Sequence, residues 1–155
     1  MMIDIAIDSL QDEGVLMLLE EHLADMHATS PPESIHALDT NALRAPDITF
    51  WCARENGVPL GCIALKQLNA TEAEIKSMRT TANSRGKGIG AALLENLLSE
   101  ASSRGYMTLS LETGSQDFFK PACRLYEKFG FQYCGPFADY TDDPNSLFMS
   151  LDIAA

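Results

Sequence analysis

Ser84-Arg85-Gly86-Lys87-Gly88-Ile89-Gly90-Ala91-Ala92-Leu93-Leu94 links an extended run to a helical one and holds three glycines in five residues. Upstream, Ala73 to Thr80 reads as a strand. Downstream, Ile89, Leu93, Leu97 and Ala101 recur every four residues, with Leu94 and Leu98 beside them. That spacing predicts an amphipathic helix ending at Arg104-Gly105. Glycines between a strand and a helix let the backbone approach a ligand closely. The helix start adds unpaired N–H donors and a partial positive charge. Together these make a phosphate or pyrophosphate site. The plainer alternative is a turn that only packs helix against strand.

Working back from the loop, Ile48 to Glu55 and Val58 to Lys66 are β-rich runs joined by Asn56-Gly57, a dipeptide suited to a type I′ turn. With Ala73 to Thr80 they form an antiparallel meander. Residues 2 to 8 alternate, with Ile3, Ile5 and Ile7 on one face, which predicts a half-buried strand. Ser9 with Asp12 marks a helix start, and Leu16, Leu19, Leu23 and Met26 set its apolar stripe to about His27. Ser30-Pro31-Pro32-Glu33 breaks it, and Ser34 to Arg44 supplies one or two short turns. Working forward, Tyr106 to Glu112 is a strand, Ala122, Leu125 and Phe129 define a helix, and Phe131 to Cys134 and Ser146 to Ile153 are final strands. The order is β-α-(α)-β-β-β-α-β-α-β-β, an α/β (α+β) arrangement with a mostly antiparallel sheet in a single domain, 1–155.

Bulk properties narrow the functions. The formal charge of −11, from 22 acids against 11 bases, opposes nucleic-acid binding, which depends on neutralising phosphates. It suits a cationic substrate, and equally serves solubility. No apolar run approaches the ~20 residues of a membrane helix. The N-terminus carries acids where a signal peptide carries Lys or Arg, so the chain reads as cytoplasmic. Cys52, Cys62, Cys123 and Cys134 are dispersed and read as free thiols. His22 and His27 miss the helical spacing of zinc ligands, so no metal is expected.

Phosphate-binding loops of three kinds compete. A Walker loop requires Gly-Lys-Ser/Thr, and Gly88 is followed by Ile89-Gly90. The dinucleotide fingerprint fits in relaxed form as Gly86-x-Gly88-x-x-Ala91, with Glu112 about twenty residues on as a ribose-binding acid. Against it stand the long approach from Thr80 and the hairpin-rich first half. An NAD(P)-binding oxidoreductase domain therefore stays as the alternative.

Arg85-x-x-Gly88-x-Gly90 matches the Arg/Gln-x-x-Gly-x-Gly/Ala motif of the GNAT superfamily of N-acetyltransferases. Glu74-Ile75-Lys76-Ser77-Met78-Arg79-Thr80 resembles the strand before that loop. Leu125-Tyr126-Glu127-Lys128-Phe129-Gly130-Phe131 resembles the family's Leu-Tyr-x-x-x-Gly-Phe helix end. The resemblance spans roughly residues 72 to 134.

It implies transfer of an acetyl group from acetyl-CoA, as co-substrate, to a primary amine of a small molecule or peptide. The pyrophosphate would lie on Arg85, Gly86, Lys87, Gly88, Ile89, Gly90 and Ala91. The pantetheine arm would pair with the main chain of Met78, Arg79 and Thr80, as an added strand. A strand N–H would stabilise the oxyanion. Tyr126 would protonate the leaving thiolate, and a carboxylate would deprotonate the amine. Glu112 is the first choice for that base and Glu74 the second; each is otherwise a solvated strand carboxylate. Phe118-Phe119-Lys120-Pro121 departs from the family's polar, Asn-containing turn.

Acceptor walls would come from Leu19 to Arg44 and Gly135 to Asn145. Asp139, Tyr140, Asp142 and Asp143 there suit a cation, and Glu33, His36 and Trp51 are further wall candidates. The resemblance also allows a homodimer. A non-catalytic acetyl-CoA sensor is the remaining alternative.

Overall fold

The computed structural model describes residues 3–35, 40–81, 84 and 86–153. Asn56 and Gly57 take φ of 51° and 81°, the two left-handed residues of a type I′ turn. They join strand β2 (Ile48–Glu55) to strand β3 (Val58–Gln67). Strand β1 (Asp4–Ile7), helix α1 (Glu13–Thr29), a 3-10 turn at Pro32–Ser34 and helix α2 (Thr40–Leu43) precede this hairpin. Strand β4 (Glu72–Thr80), helix α3 (Ile89–Ser103), strand β5 (Thr108–Gly114), a 3-10 turn at Asp117–Phe119, helix α4 (Lys120–Lys128), and strands β6 (Gln132–Cys134) and β7 (Ser146–Asp152) follow. The element order is the expected one. No helix among the described residues is long and apolar enough to cross a membrane.

Among the described residues seven strands form one sheet in the order β1-β2-β3-β4-β5-β7-β6, and of their pairings only that of β4 with β5 is parallel. A doubly wound dinucleotide fold needs several parallel β-α units, and this sheet does not supply them. Strand alternation sends Ile63, Ala73, Ile75, Leu109, Leu111 and Met149 to one face, where α3 covers them with Leu93, Leu94 and Leu97. Cys52, Cys62 and Ala64 point the other way, under Val15, Leu18 and Leu19 of α1.

Four local expectations are corrected. Helix α1 starts after Asp12, whose carboxylate accepts the Gly14 N–H at 3.2 Å; Leu10, at φ 62°, breaks any helix from Ser9. Its buried stripe is Val15, Leu18, Leu19 and His22, because apolar residues at 15 to 19 leave the helix rotation undecided by pattern alone. Ile7 is 65% exposed at the sheet edge. Strand β5 begins at Thr108, because Tyr106 is buried and donates its N–H to Ala101 O at 3.1 Å to close α3.

Two irregularities open the sheet. Between the pairs Ala64↔Lys76 and Cys62↔Arg79 the register shifts, and Ser77 in the extra span has φ 55°. This β-bulge re-aims the end of β4. The β4–β5 pairing stops at Ile75↔Leu111, while β5 stays paired to β7 through Gly114. Past that point Lys76–Thr80 and Glu112–Gly114 run apart.

Candidate active site

The gap between the parting strands is a cleft of about 630 Å³. Glu74, Lys76, Ser77, Met78, Arg79 and Thr80 line it from β4, and Glu112, Thr113 and Gly114 from β5. Gly86, Gly88, Gly90 and Ala91 close one end, Leu125 and Tyr126 of α4 form a side, and His22 and Met26 of α1 form another.

At the glycine end the loop is braced from below. Thr81 donates its N–H to Leu60 O at 2.9 Å, and the hydroxyls of Thr81 and Ser84 lie 2.6 Å apart. Gly86 and Gly88 take φ of 79° and 81° and are exposed. A Cβ on either would meet no protein atom within 4 Å, so the space above them is open to a ligand. Gly88 caps α3, and the first bond of that helix runs from Ala92 N–H to Gly88 O at 3.0 Å. The amides of Ile89, Gly90 and Ala91 are thus the orphan donors of its first turn. They suit a pyrophosphate by hydrogen bonding and by the helix dipole. The Ile89 side chain is itself core, 1% exposed, so only its main chain is on offer. Lys87 is exposed beside the loop. Arg85 lies outside the described residues, as does His36.

Tyr126 is buried on the α3 side of the cleft, edge-on to Phe131 at 5.6 Å. Its hydroxyl points at Met78 Sδ, 3.7 Å away, a weak acceptor that leaves the proton available. Burial, followed by the nearby Cys123, pushes its pKa well above the ordinary phenol value.

The opposite face carries the charges. Glu74 and Lys76 alternate onto one face, and Glu112 joins them through the pairing Glu74↔Ser110. Glu74 is 3% exposed. Its Oε2 accepts from Lys76 Nζ at 3.0 Å and from the Tyr140 hydroxyl at 2.5 Å. Burial, then the Glu74 carboxylate and more distantly Glu112, raise the Tyr140 pKa strongly. Ser146 donates its hydroxyl to Glu112 Oε2 at 2.8 Å. His22 is held neutral, its pKa lowered to about 4 by burial and by Arg79, with Asp25 opposing. Arg79 in turn pairs with Asp25 at 2.7 Å.

The structure brings Glu74, Glu112, Tyr126, Met78, Arg79, Thr80 and the described glycines of the loop around one cleft. The acceptor-wall expectations fare differently. Trp51 is core on the α3 face, under the Arg104 guanidinium at 5.7 Å. Glu33, Asp139 and Asp142 are exposed and outside the lining. Tyr140 and Asp143 are structural ties: Asp143 Oδ2 accepts from Ser34 at 2.5 Å, joining the last loop to the turn after α1. Tyr140 packs between Phe137 and Phe148 with tilted rings, centroids 5.0 and 5.6 Å away. Lys76 received no role from the sequence, although its two-residue spacing from Glu74 already placed both on one face. Phe118, in the turn that departs from the family pattern, lines the cleft and is 40% exposed.

Residues 15–131 match the sequence profile of the Acetyltransferase (GNAT) family. The chain is 55% identical over 146 residues to "Uncharacterized N-acetyltransferase YsnE" of Bacillus subtilis, covering 94% of this chain and 97% of that protein. It is 40% identical over 151 residues to "IAA acetyltransferase" of Azospirillum brasilense, covering 95% of each. The PaiA N-acetyltransferase of Thermoplasma acidophilum, solved in complex with coenzyme A, shares the fold with a TM-score of 0.75 at 19% identity, over 98% of this chain and 99% of that one.

Proposed function

The chain belongs to the GNAT family of acetyltransferases, and from that premise we propose that it moves an acetyl group from acetyl-CoA directly to a primary amine of a small molecule or peptide. One observation carries this reading. The cleft where β4 and β5 part has a glycine loop and helix N-terminus at one end, two carboxylates on one face and a buried phenol on the other. The complex of coenzyme A with the Thermoplasma protein of the same fold supports the choice of co-substrate.

In this reading the amides from Gly86 to Ala91 hold the pyrophosphate. The main chain of Met78, Arg79 and Thr80 pairs with the pantetheine arm, because β4 has lost its β5 partner there. An N–H just past the bulge stabilises the oxyanion that develops on the thioester carbonyl. The amine nitrogen attacks that carbonyl carbon and gives its proton to Glu112, or to Glu74, directly or through water. The new C–N bond forms as the C–S bond breaks. Tyr126 donates its proton, or a hydrogen bond, to the departing sulfur. Side chains at Met78 and Thr80 matter less than their main chain. Calorimetry with acetyl-CoA and with NAD tests the reading: acetyl-CoA is expected to bind, and binding of NAD alone would overturn it.

A further inference from the structure

Gly114 ends β5 on the face that carries Glu112, two residues back along the strand. A Cβ there would collide with the Phe119 ring, so the missing side chain is what lets that ring lie against the strand. Phe119 is buried, and Phe118 meets it edge-on with centroids 5.0 Å apart. The buried ring thus holds its neighbour in place. Of the large apolar side chains exposed among the described residues, only Phe118 lines the cleft.

Helix α1 adds apolar lining to the same region. Ser30, its C-cap, donates to Gln116 Oε1 at 3.4 Å, and Gln116 caps the turn that carries Phe118. Met26 lies one helical turn before Ser30 and lines the cleft, as does Ile35.

The charges of this face are already matched. Glu74 is paired with Lys76 at 3.0 Å and Arg79 with Asp25 at 2.7 Å, while His22 is held neutral. Asp139, Asp142 and Asp143 are not among the lining residues. Glu112 is the carboxylate assigned to the reacting amine. A second ammonium on the acceptor would leave water beside Met26, Ile35 and Phe118, and burying a charge without a partner is costly. A methylene chain or an apolar ring in that place gains by leaving water.

We propose that the acceptor is a primary amine on an apolar body, with its nitrogen at Glu112 and its body against Phe118. This rests on the acetyl-transfer reading of the same cleft. Phe118 is then a specificity residue, set in place by Phe119 and, through it, by the absence of a side chain at Gly114.

The test compares ethylamine, butylamine, hexylamine, hexamethylenediamine and spermidine at pH 7, with acetyl-CoA and a thiol-release readout. In the wild type, kcat/KM for hexylamine should exceed that for ethylamine by at least about tenfold, within what four buried methylenes supply. Hexamethylenediamine, of the same length with a second charge, should fall at least about tenfold below hexylamine. Phe118→Ala should bring the ratio of hexylamine to ethylamine below about threefold, with acetyl-CoA affinity by calorimetry unchanged. Phe118→Leu, which keeps an apolar side chain, should keep most of that ratio. A wild-type ratio near one would overturn the proposal, as would a preference for the diamine or spermidine over hexylamine. So would a Phe118→Ala variant that keeps the ratio, or one that loses acetyl-CoA affinity and so puts the ring against the co-substrate. No thiol release from the wild type with any of these amines would instead overturn the acetyl-transfer reading itself.

Discussion

The hydroxyl of Tyr126 lies 3.7 Å from the sulfur of Met78, so the buried phenol on α4 faces the β4 residue just past the bulge. Its depth and its raised pKa keep the proton on it at neutral pH. Tyr126→Phe removes the donor and keeps the ring that packs on Phe131. The expected outcome is a fall in kcat of about a hundredfold, at the lower end for loss of a general acid, with acetyl-CoA affinity unchanged by calorimetry. An unchanged rate would remove Tyr126 from the reaction.

Glu112 and Glu74 share a face but differ in surroundings, since the Glu74 carboxylate is neutralised by Lys76. Replacement of Glu112 by Gln should lower kcat/KM for the amine by about a hundredfold or more. The loss should shrink as pH rises and the free amine becomes abundant. If Glu74→Gln shows that pH-dependent loss and Glu112→Gln does not, the two roles are exchanged.

His22 should make the protein sensitive to acid. Its pKa is about 4 in the folded chain against 6.5 for an unperturbed histidine, so between these values the unfolded state binds the extra proton. Stability therefore falls as pH drops from about 6.5 towards 4, by roughly 3 kcal/mol in total from this one group. Urea unfolding of wild type and His22→Gln at pH 7 and pH 4.5 measures it. The variant should lose distinctly less stability over that interval, and equal losses would exclude His22 as the cause.

Gly88 holds φ 81° at the cap of α3, with no protein atom near its missing Cβ. Gly88→Ala should therefore cost only the dihedral strain, about 1–2 kcal/mol, read as a lower urea midpoint. The added methyl would occupy the space assigned to the pyrophosphate. Acetyl-CoA affinity should consequently fall by about tenfold or more, beyond any effect of stability. Weakened stability with undiminished affinity would place the pyrophosphate elsewhere.

Sequence pattern revealed the fold wherever a local rule was decisive. Asn56-Gly57 specified its turn, and the four-residue recurrence from Ile89 specified α3. It failed where tertiary contact decides. Five apolar residues in a row at 15 to 19 could not say which face of α1 is buried, and Trp51 looks the same in a wall or in a core. In the site, Glu74, Glu112 and Tyr126 were nameable because the resemblance of these strands and of the α4 motif to the family implies their positions. The Tyr140–Glu74 and Ser34–Asp143 hydrogen bonds span 66 and 109 residues of sequence, and no local signal encodes them. The acids of the last loop seemed ready for a cationic substrate; Asp143 instead ties that loop to the turn after α1.

The central claim is tested most directly by mixing the protein with acetyl-CoA labelled at the acetyl carbonyl and a panel of polyamines, amino acids, aminoglycosides and lysine peptides. The measurement follows free thiol and labelled product together by mass spectrometry. The account predicts, for at least one amine, equal amounts of free coenzyme A thiol and N-acetylated acceptor, both diminished in Tyr126→Phe. Acetyl-CoA bound without any labelled acceptor across the panel would contradict it and leave a sensor of acetyl-CoA in place of an enzyme.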